Sequence, residues 1–232
     1  MAVAPAALAK PTVKPVATFS IVGFDPRTGD LGVAVQSKFF AVGSVVPWAK
    51  AGVGAIATQS YANVSYGPDG LELLAKGKSA RETVSTLTSA DRNKQRRQLG
   101  IVDTRGNSAS FTGSGCHPWA GHIEKPNFCA QGNILTGKEV VDAMASSFEQ
   151  LQKQAKGGLC DWLANALLAG QDAGGVSRGR QSTALLVVRK KGGYGGSNDR
   201  FIDIRVDDHK TPIVELRRLL QLHKNLFKRA HA

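Results

Sequence analysis

At 232 residues and 24.5 kDa, with 42% hydrophobic and 21% charged residues, the chain is long enough to bury a substantial core and fits one or at most two globular domains. Apolar residues in periodic runs exclude a disordered chain, and no window approaches the roughly 18 continuous apolar residues of a membrane-spanning helix. Three cysteines, Cys116, Cys129 and Cys160, are too few and odd in number for a secreted disulfide framework, which points to a reducing, cytoplasmic compartment.

The formal net charge is +12, and 14 of the 30 Lys and Arg residues sit in four acid-free stretches. These are Lys10 and Lys14, the run from Arg92 to Arg97, Arg189 to Lys191, and the tail from Arg217 onward. Without them the body is close to neutral, so the charge reads as a surface addition. Such clusters attract polyanions through counterion release, or simply form a solvated face. No zinc-finger, RNP-type or helix-turn-helix signature accompanies them, and only 6% of residues are aromatic, leaving little for base stacking.

Residues 1–17 are rich in Ala, Pro and Lys and read as a flexible basic leader, residues 18–223 as a single domain, and 224–232 as a basic tail. In chain order, Thr18–Asp25 and Leu31–Ser37 are strands joined by the turn chemistry of Asp25-Pro26-Arg27-Thr28-Gly29-Asp30. Strands follow at Ser44–Lys50 and Gly52–Gln59. Ala, Gly and Val dominate these strands, which predicts burial on both faces. Helices come next at about 67–76 and 80–89, the second opened by the capping box Ser79-Ala80-Arg81-Glu82.

Strands resume at Gln98–Asp103, Ser108–Gly113 and near Phe128–Ile134. A helix opens at a second capping box, Thr136-Gly137-Lys138-Glu139, and Leu159–Leu168 is also helical. Ser182–Val188 and Arg200–Val206 close as a strand pair around Lys190–Asp199, and a last helix follows Pro212. Blocks of strands alternating with pairs of helices predict an α+β fold with antiparallel sheets covered by helices.

The sequence offers four candidate kinds of chemistry. Cys116, His117, His122 and Cys129 are soft ligands within 14 residues, but no Cys-x-x-Cys or His-x-x-x-His pair supports a metal, and buried thiols with surface imidazoles account for them; neither metal nor cofactor is expected. Gly192-Gly193-Tyr194-Gly195-Gly196 lacks the Gly-Lys-Ser/Thr of a phosphate loop and reads as a hairpin connection. No Gly-x-Ser-x-Gly elbow is present, and none of the five histidines is paired with a nucleophile at a readable spacing.

The fourth is Thr18, which begins the first core strand directly after the leader. A threonine made N-terminal gains an α-amine with a pKa of about 7.7–8.0, low enough to act as its own general base. Such a site needs a tuning group and oxyanion donors. The strand ends Gln36-Ser37-Lys38 and Thr58-Gln59-Ser60 offer both, although an ordinary strand threonine explains the same residue.

Thr18-Phe19-Ser20-Ile21-Val22, Gly32 through Gly43 and Val45 through Ala55 resemble a prokaryotic domain-of-unknown-function family placed among the N-terminal-nucleophile (Ntn) hydrolases. So do Ala130-Gln131-Gly132-Asn133-Ile134-Leu135, Arg178-Gly179-Arg180-Gln181-Ser182 and Arg205-Val206-Asp207-Asp208-His209. The resemblance implies a four-layer αββα sandwich and an amidohydrolase site for a small amide or peptide-like substrate. It implies Thr18 as nucleophile, Lys38 or Lys50 as the amine-tuning group, and Gln59, Ser60 and Asn133 as oxyanion or substrate donors. Ser37 is a further substrate-side hydroxyl, and Arg178 and Arg180 are candidates to hold a substrate carboxylate, or else surface ion-pair residues. Family members begin almost at the threonine, so with 17 residues in front either the leader is cleaved between Ala17 and Thr18 or the amine never forms. The competing reading is a non-catalytic scaffold that binds RNA or an acidic assembly through its basic extensions. A homodimer is compatible with either reading.

Overall fold

The computed structural model describes residues 16–227; the first 15 residues of the leader and positions 228–232 of the tail lie outside the described residues. Ten strands and five helices are present among the described residues. The strands are β1 (Thr18–Asp25), β2 (Asp30–Ser37), β3 (Pro47–Lys50), β4 (Gly54–Ser60), β5 (Arg97–Asp103), β6 (Ser108–Thr112), β7 (Gly121–Lys125), β8 (Phe128–Asn133), β9 (Ser182–Val188) and β10 (Arg200–Val206). The helices are α1 (Tyr66–Ala75), α2 (Ala80–Ser89), α3 (Glu139–Lys153), α4 (Leu159–Asp172) and α5 (Pro212–Leu226). None of these helices is long and apolar enough to cross a membrane.

The strands form two antiparallel sheets, one ordered β10-β9-β2-β1-β8-β7 and the other β3-β4-β5-β6. Strand alternation sorts the β1 side chains cleanly. Phe19 and Ile21 join a core with Met144, Phe148, Trp162, Leu163 and Leu216 from α3, α4 and α5. Val22 and Phe24 instead meet Val33, Val35, Ala55, Ala57 and Val102 in the space between the sheets. A third core packs α1 and α2 on the smaller sheet through Leu74, Val84, Leu87, Ile56, Leu99 and Ile101. Phe148 anchors the first core, with its ring 4.6 Å from that of Phe128 and edge-on to Trp162 at 5.7 Å.

Local chemistry explains most boundaries. The Ser79 hydroxyl accepts from the Glu82 amide while the Glu82 carboxylate accepts from the Ser79 amide, so the capping box at α2 forms as expected. The second expected box does not form. Helix α3 starts at Glu139 with Lys138 at its N-cap and no side-chain cap, because the Thr136 amide and hydroxyl both donate to the Gly175 carbonyl.

The expected strand at Ser44–Lys50 is shortened to β3, since Val42–Ser44 forms a 3-10 turn behind left-handed Ala41. Strand β7 was not anticipated. Its signal is Pro126-Asn127: proline pre-sets the first turn position and Asn127 has φ 72°, the geometry that folds Lys125 back onto Phe128. Every residue of β1, β2 and β4 is buried, as their composition implied, but β3 is half exposed.

The basic stretches are less free than their acid-free sequences suggest. Arg97 pairs with Asp91, Arg189 with Asp30, Arg218 with Glu215 and Lys224 with Asp161. Arg189 makes a bidentate contact, at 2.7 Å from both Nε and one terminal nitrogen, and lies over the Phe201 ring. The acids of Arg189 and Lys224 come from distant segments, which a scan along the chain does not bring together, whereas Asp91 and Glu215 stand just before the basic stretches they neutralise.

Candidate active site

The space between the sheets changes character along β1. Beyond Val22 it is apolar. Before Val22, the inward positions are Thr18 and Ser20 on β1, Ser37 on β2, Gln59 on β4, Gln98 on β5, and Gln131 and Asn133 on β8, all fully buried. Register brings them together: Thr18 lies between Ser37 and Asn133 in one sheet, and Gln59 faces Gln98 in the other.

A chain of hydrogen bonds crosses the sheets. Ser20 Oγ donates to Gln59 Oε1 at 2.6 Å and accepts from Gln131 Nε2 at 2.7 Å. Gln59 Nε2 donates to Gln98 Oε1 at 2.8 Å, and Asn133 Nδ2 reaches the same oxygen at 3.1 Å. Gln98 Nε2 in turn donates to the Gly132 carbonyl at 2.8 Å and to Thr112 Oγ1 at 3.0 Å. Gly100 makes room for this layer, because a Cβ there would come within 2.2 Å of Gln131 Oε1. Gln131 Oε1, Asn133 Oδ1 and Ser60 Oγ are buried without partners among the described residues.

Thr18 stands at the edge of this layer. Its Oγ1 donates to the Val16 carbonyl at 2.9 Å and lies 3.0 Å from Ser37 Oγ. Ser37 Oγ donates at 2.8 Å to the Ala17 carbonyl, which also accepts from the Lys38 backbone amide at 3.0 Å. Each hydroxyl has one hydrogen, so with both donated to carbonyls the Thr18–Ser37 contact carries none. The carbonyl bonded to Thr18 nitrogen is therefore held by two donors beside the Thr18 hydroxyl. Val16 and Ala17 are themselves buried, and Val16 forms an antiparallel bridge to Ser60, donating to its carbonyl at 2.8 Å.

Two residues flanking this point are held in the left-handed region, Ser60 at φ 68° and Ile134 at φ 56°. Non-glycine residues pay about 1–3 kcal/mol for such conformations, which persist where the surroundings fix them. The Ile134 amide donates to the His117 carbonyl at 3.1 Å, and Tyr61, which follows Ser60, carries the Arg96 guanidinium over its ring and has its hydroxyl 3.3 Å from His117 Nε2. The segment after β4 is also tied down by Arg97, which pairs with Asp91 and donates to the Tyr61 carbonyl.

Several expected site residues thus converge: Thr18, Ser37, Gln59, Ser60 and Asn133. Lys38 arrives through its backbone amide, its side chain being exposed. Lys50 does not come to this place. It pairs with Gly54, at the opposite end of β4 from Ser60, and is exposed. Both Gln59 amide hydrogens are engaged, with Gln98 and with the Gln131 carbonyl, so Gln59 is a member of the layer and not a free donor. Arg178 and Arg180 are exposed on the segment before β9. Ser20, Gln98 and Gln131 were missed by sequence reading, although each is a polar residue at an inward position of a buried strand, and Gln98 is followed at the inward positions of β5 by Gly100 and Val102.

No thiol competes for the role of nucleophile. Burial pushes the Cys129 and Cys160 thiols up to about 12 and about 11, and burial also raises the Cys116 thiol.

The described residues thus define a mixed α+β protein of two antiparallel sheets and five helices, with a polar end between the sheets. The chain belongs to the family of unknown function DUF1028, whose model matches residues 18–216 and so begins at Thr18. The crystal structure of protein SPO2555 from Silicibacter pomeroyi, a DUF1028 protein, is similar over 89% of each chain, with 30% identity and a TM-score of 0.79. Anbu (ancestral beta-subunit) from Yersinia bercovieri aligns over 93% of this chain and 98% of its own at 12% identity and a TM-score of 0.33, a likeness that carries no argument. No match was found among curated proteins.

Proposed function

We propose that the protein is an Ntn-type amidohydrolase, built as a four-layer αββα sandwich, that cleaves a small amide or peptide-like substrate with Thr18 as nucleophile. The observation that carries this reading is the Ala17 carbonyl, held by the Ser37 hydroxyl and the Lys38 amide next to Thr18 Oγ1. Two donors on a carbonyl oxygen beside a hydroxyl are what acyl transfer requires, because they stabilise the oxyanion as it develops.

The leader first serves as the substrate. Thr18 Oγ attacks the Ala17 carbonyl carbon, the Ala17–Thr18 C–N bond breaks, and the proton from Oγ passes to the departing nitrogen. Water then hydrolyses the resulting ester, releasing a leader ending in the Ala17 carboxylate and leaving Thr18 with a free amine. That amine takes the Oγ proton in later turnovers and gives it to the leaving nitrogen of the substrate. The slot vacated by Val16 and Ala17 then accepts the acyl portion, with the Ser60 carbonyl as its backbone acceptor.

Intact mass of the purified protein, followed by amide screening, tests this directly. A chain starting at Thr18 is expected in the wild type and a full-length chain in Thr18→Ala, with turnover in the variant lower by about 10³-fold or more. Full activity in a folded Thr18→Ala protein would refute the reading. A wild type that keeps its leader would favour the non-catalytic scaffold, since Val16 and Ala17 would then keep Thr18 covered.

A further inference from the structure

Next to Thr18 lies an open cavity of about 690 Å³ lined by Lys38, Arg180, Gln181, His209 and Lys210, with Asp208 as its one acid. Its position follows from Ser37. Lys38 is the next residue in the chain, the Gln181 amide donates to the Ser37 carbonyl at 2.9 Å, and Ser37 Oγ touches Thr18 Oγ1. The far wall is tied to the same point, because the His209 amide donates to the Gln181 carbonyl at 2.8 Å.

Among the described residues, Arg180 differs from most of the other arginines. Eight arginines, among them Arg27, Arg97, Arg189 and Arg218, hold ion pairs. Lys38, Arg180 and Lys210 have no ion pair among the described residues. Arg180 is nevertheless oriented: Nε donates to the Lys210 carbonyl at 2.9 Å, leaving both terminal nitrogens of its fork to a ligand. His209 Nδ1 accepts from the Thr211 amide at 3.0 Å, which leaves Nε2 as the protonated donor. Against the single Asp208 carboxylate, three cations and an imidazole N–H give an excess of positive charge and of donors.

We propose that this cavity binds a carboxylate of the substrate, so that the amide cleaved by Thr18 belongs to an acidic compound. The inference rests on the reading of Thr18 as nucleophile. A planar carboxylate matches the free edge of the Arg180 fork, with Lys38 closing from the side of the reacting carbonyl. Arg178, two residues earlier, does not line the cavity and takes no part.

Titration of the full protein with glutarate, inorganic phosphate and the neutral glutaramide, read by calorimetry, tests the cavity without requiring turnover. Saturable binding of glutarate, weaker binding of phosphate and none of glutaramide are expected. Arg180→Gln and Lys38→Gln should each weaken glutarate at least tenfold, Arg178→Gln should leave it unchanged, and Thr18→Ala should bind it like the wild type. In the processed enzyme, Arg180→Gln should raise KM for N-acyl-glutamates with little change for neutral amides. Absence of glutarate binding, binding indifferent to Arg180 and Lys38, or a preference for phosphate would each overturn the proposal. Loss of turnover in Thr18→Ala with glutarate binding intact supports both readings; active Thr18→Ala with glutarate binding intact removes the nucleophile and leaves the cavity an anion site only.

Discussion

The two ends of the space between the sheets share one backbone geometry and have opposite interiors. At the end where β1 finishes, Phe24, Leu31, Val33, Val188 and Val102 fill it with hydrocarbon. Where β1 begins, Ser20, Gln59, Gln98, Gln131 and Asn133 fill it with amides and hydroxyls that bond across the sheets. Buried polar groups cost free energy unless paired, and a hydrocarbon filling would stabilise the fold at least as well. The polar end also holds the left-handed Ser60 and Ile134 and three unpartnered oxygens. Stability alone accounts for the apolar end; the polar layer does not follow from stability, and the carbonyl held by Ser37 and Lys38 lies at its edge.

That contrast can be broken from either side. Leu31→Ala at the apolar end leaves a cavity in a fully buried site and should cost about 2–5 kcal/mol in chemical denaturation, with little effect on turnover while the protein is folded. Ser20→Ala removes the hydroxyl shared by Gln59 and Gln131 and should cost less, about 1–3 kcal/mol. Its turnover should nevertheless fall further than that of Leu31→Ala, measured at a temperature where both are folded. The reverse order would mean that the polar layer is only packing.

The smallest effect concerns the clamp on the segment after β4. Burial alone would raise the Asp91 carboxyl, but hydrogen bonds from Arg97, the Asn93 amide and Tyr66 outweigh it and hold the group at about 2, below its ordinary 3.8. Because the folded pKa is depressed, the resulting stability, about 2 kcal/mol, is present above pH 4 and lost as pH falls towards 2. Thermal melts between pH 5 and 2 should show this loss in the wild type and a shallower one in Asp91→Asn. Identical slopes would remove Asp91 from the account.

Much of the site was legible as residue types without a place. Thr18, Ser37 and Asn133 stand at strand starts and ends, where the alternation of β1, β2 and β8 already turns them to one face, whereas Ser60 follows the inward Gln59 and sits in the left-handed region. Lys50 looked as suitable as Lys38, because which end of a four-residue strand meets the site depends on pairing register, and register is invisible along a single strand. The three residues of the polar layer missed in sequence take their meaning from partners on other strands: Gln59 and Gln131 for Ser20, and Gln59 and Asn133 for Gln98.

The sequence by itself determined the order of nine of the ten strands and of the five helices, the capping box of α2 and the full burial of β1, β2 and β4, since these follow from local propensity and hydrophobic period. Tertiary structure decided the rest: that Arg189 neutralises Asp30 across 159 positions of chain, that Gln98 meets Gln59 and Asn133, and that Lys38 gives the Ala17 carbonyl its backbone amide while its side chain lines the neighbouring cavity. Hydrogen bonds and ion pairs act over about 3 Å in space, while the residues they join here are tens of positions apart. Only the pairing of ten strands converts one distance into the other.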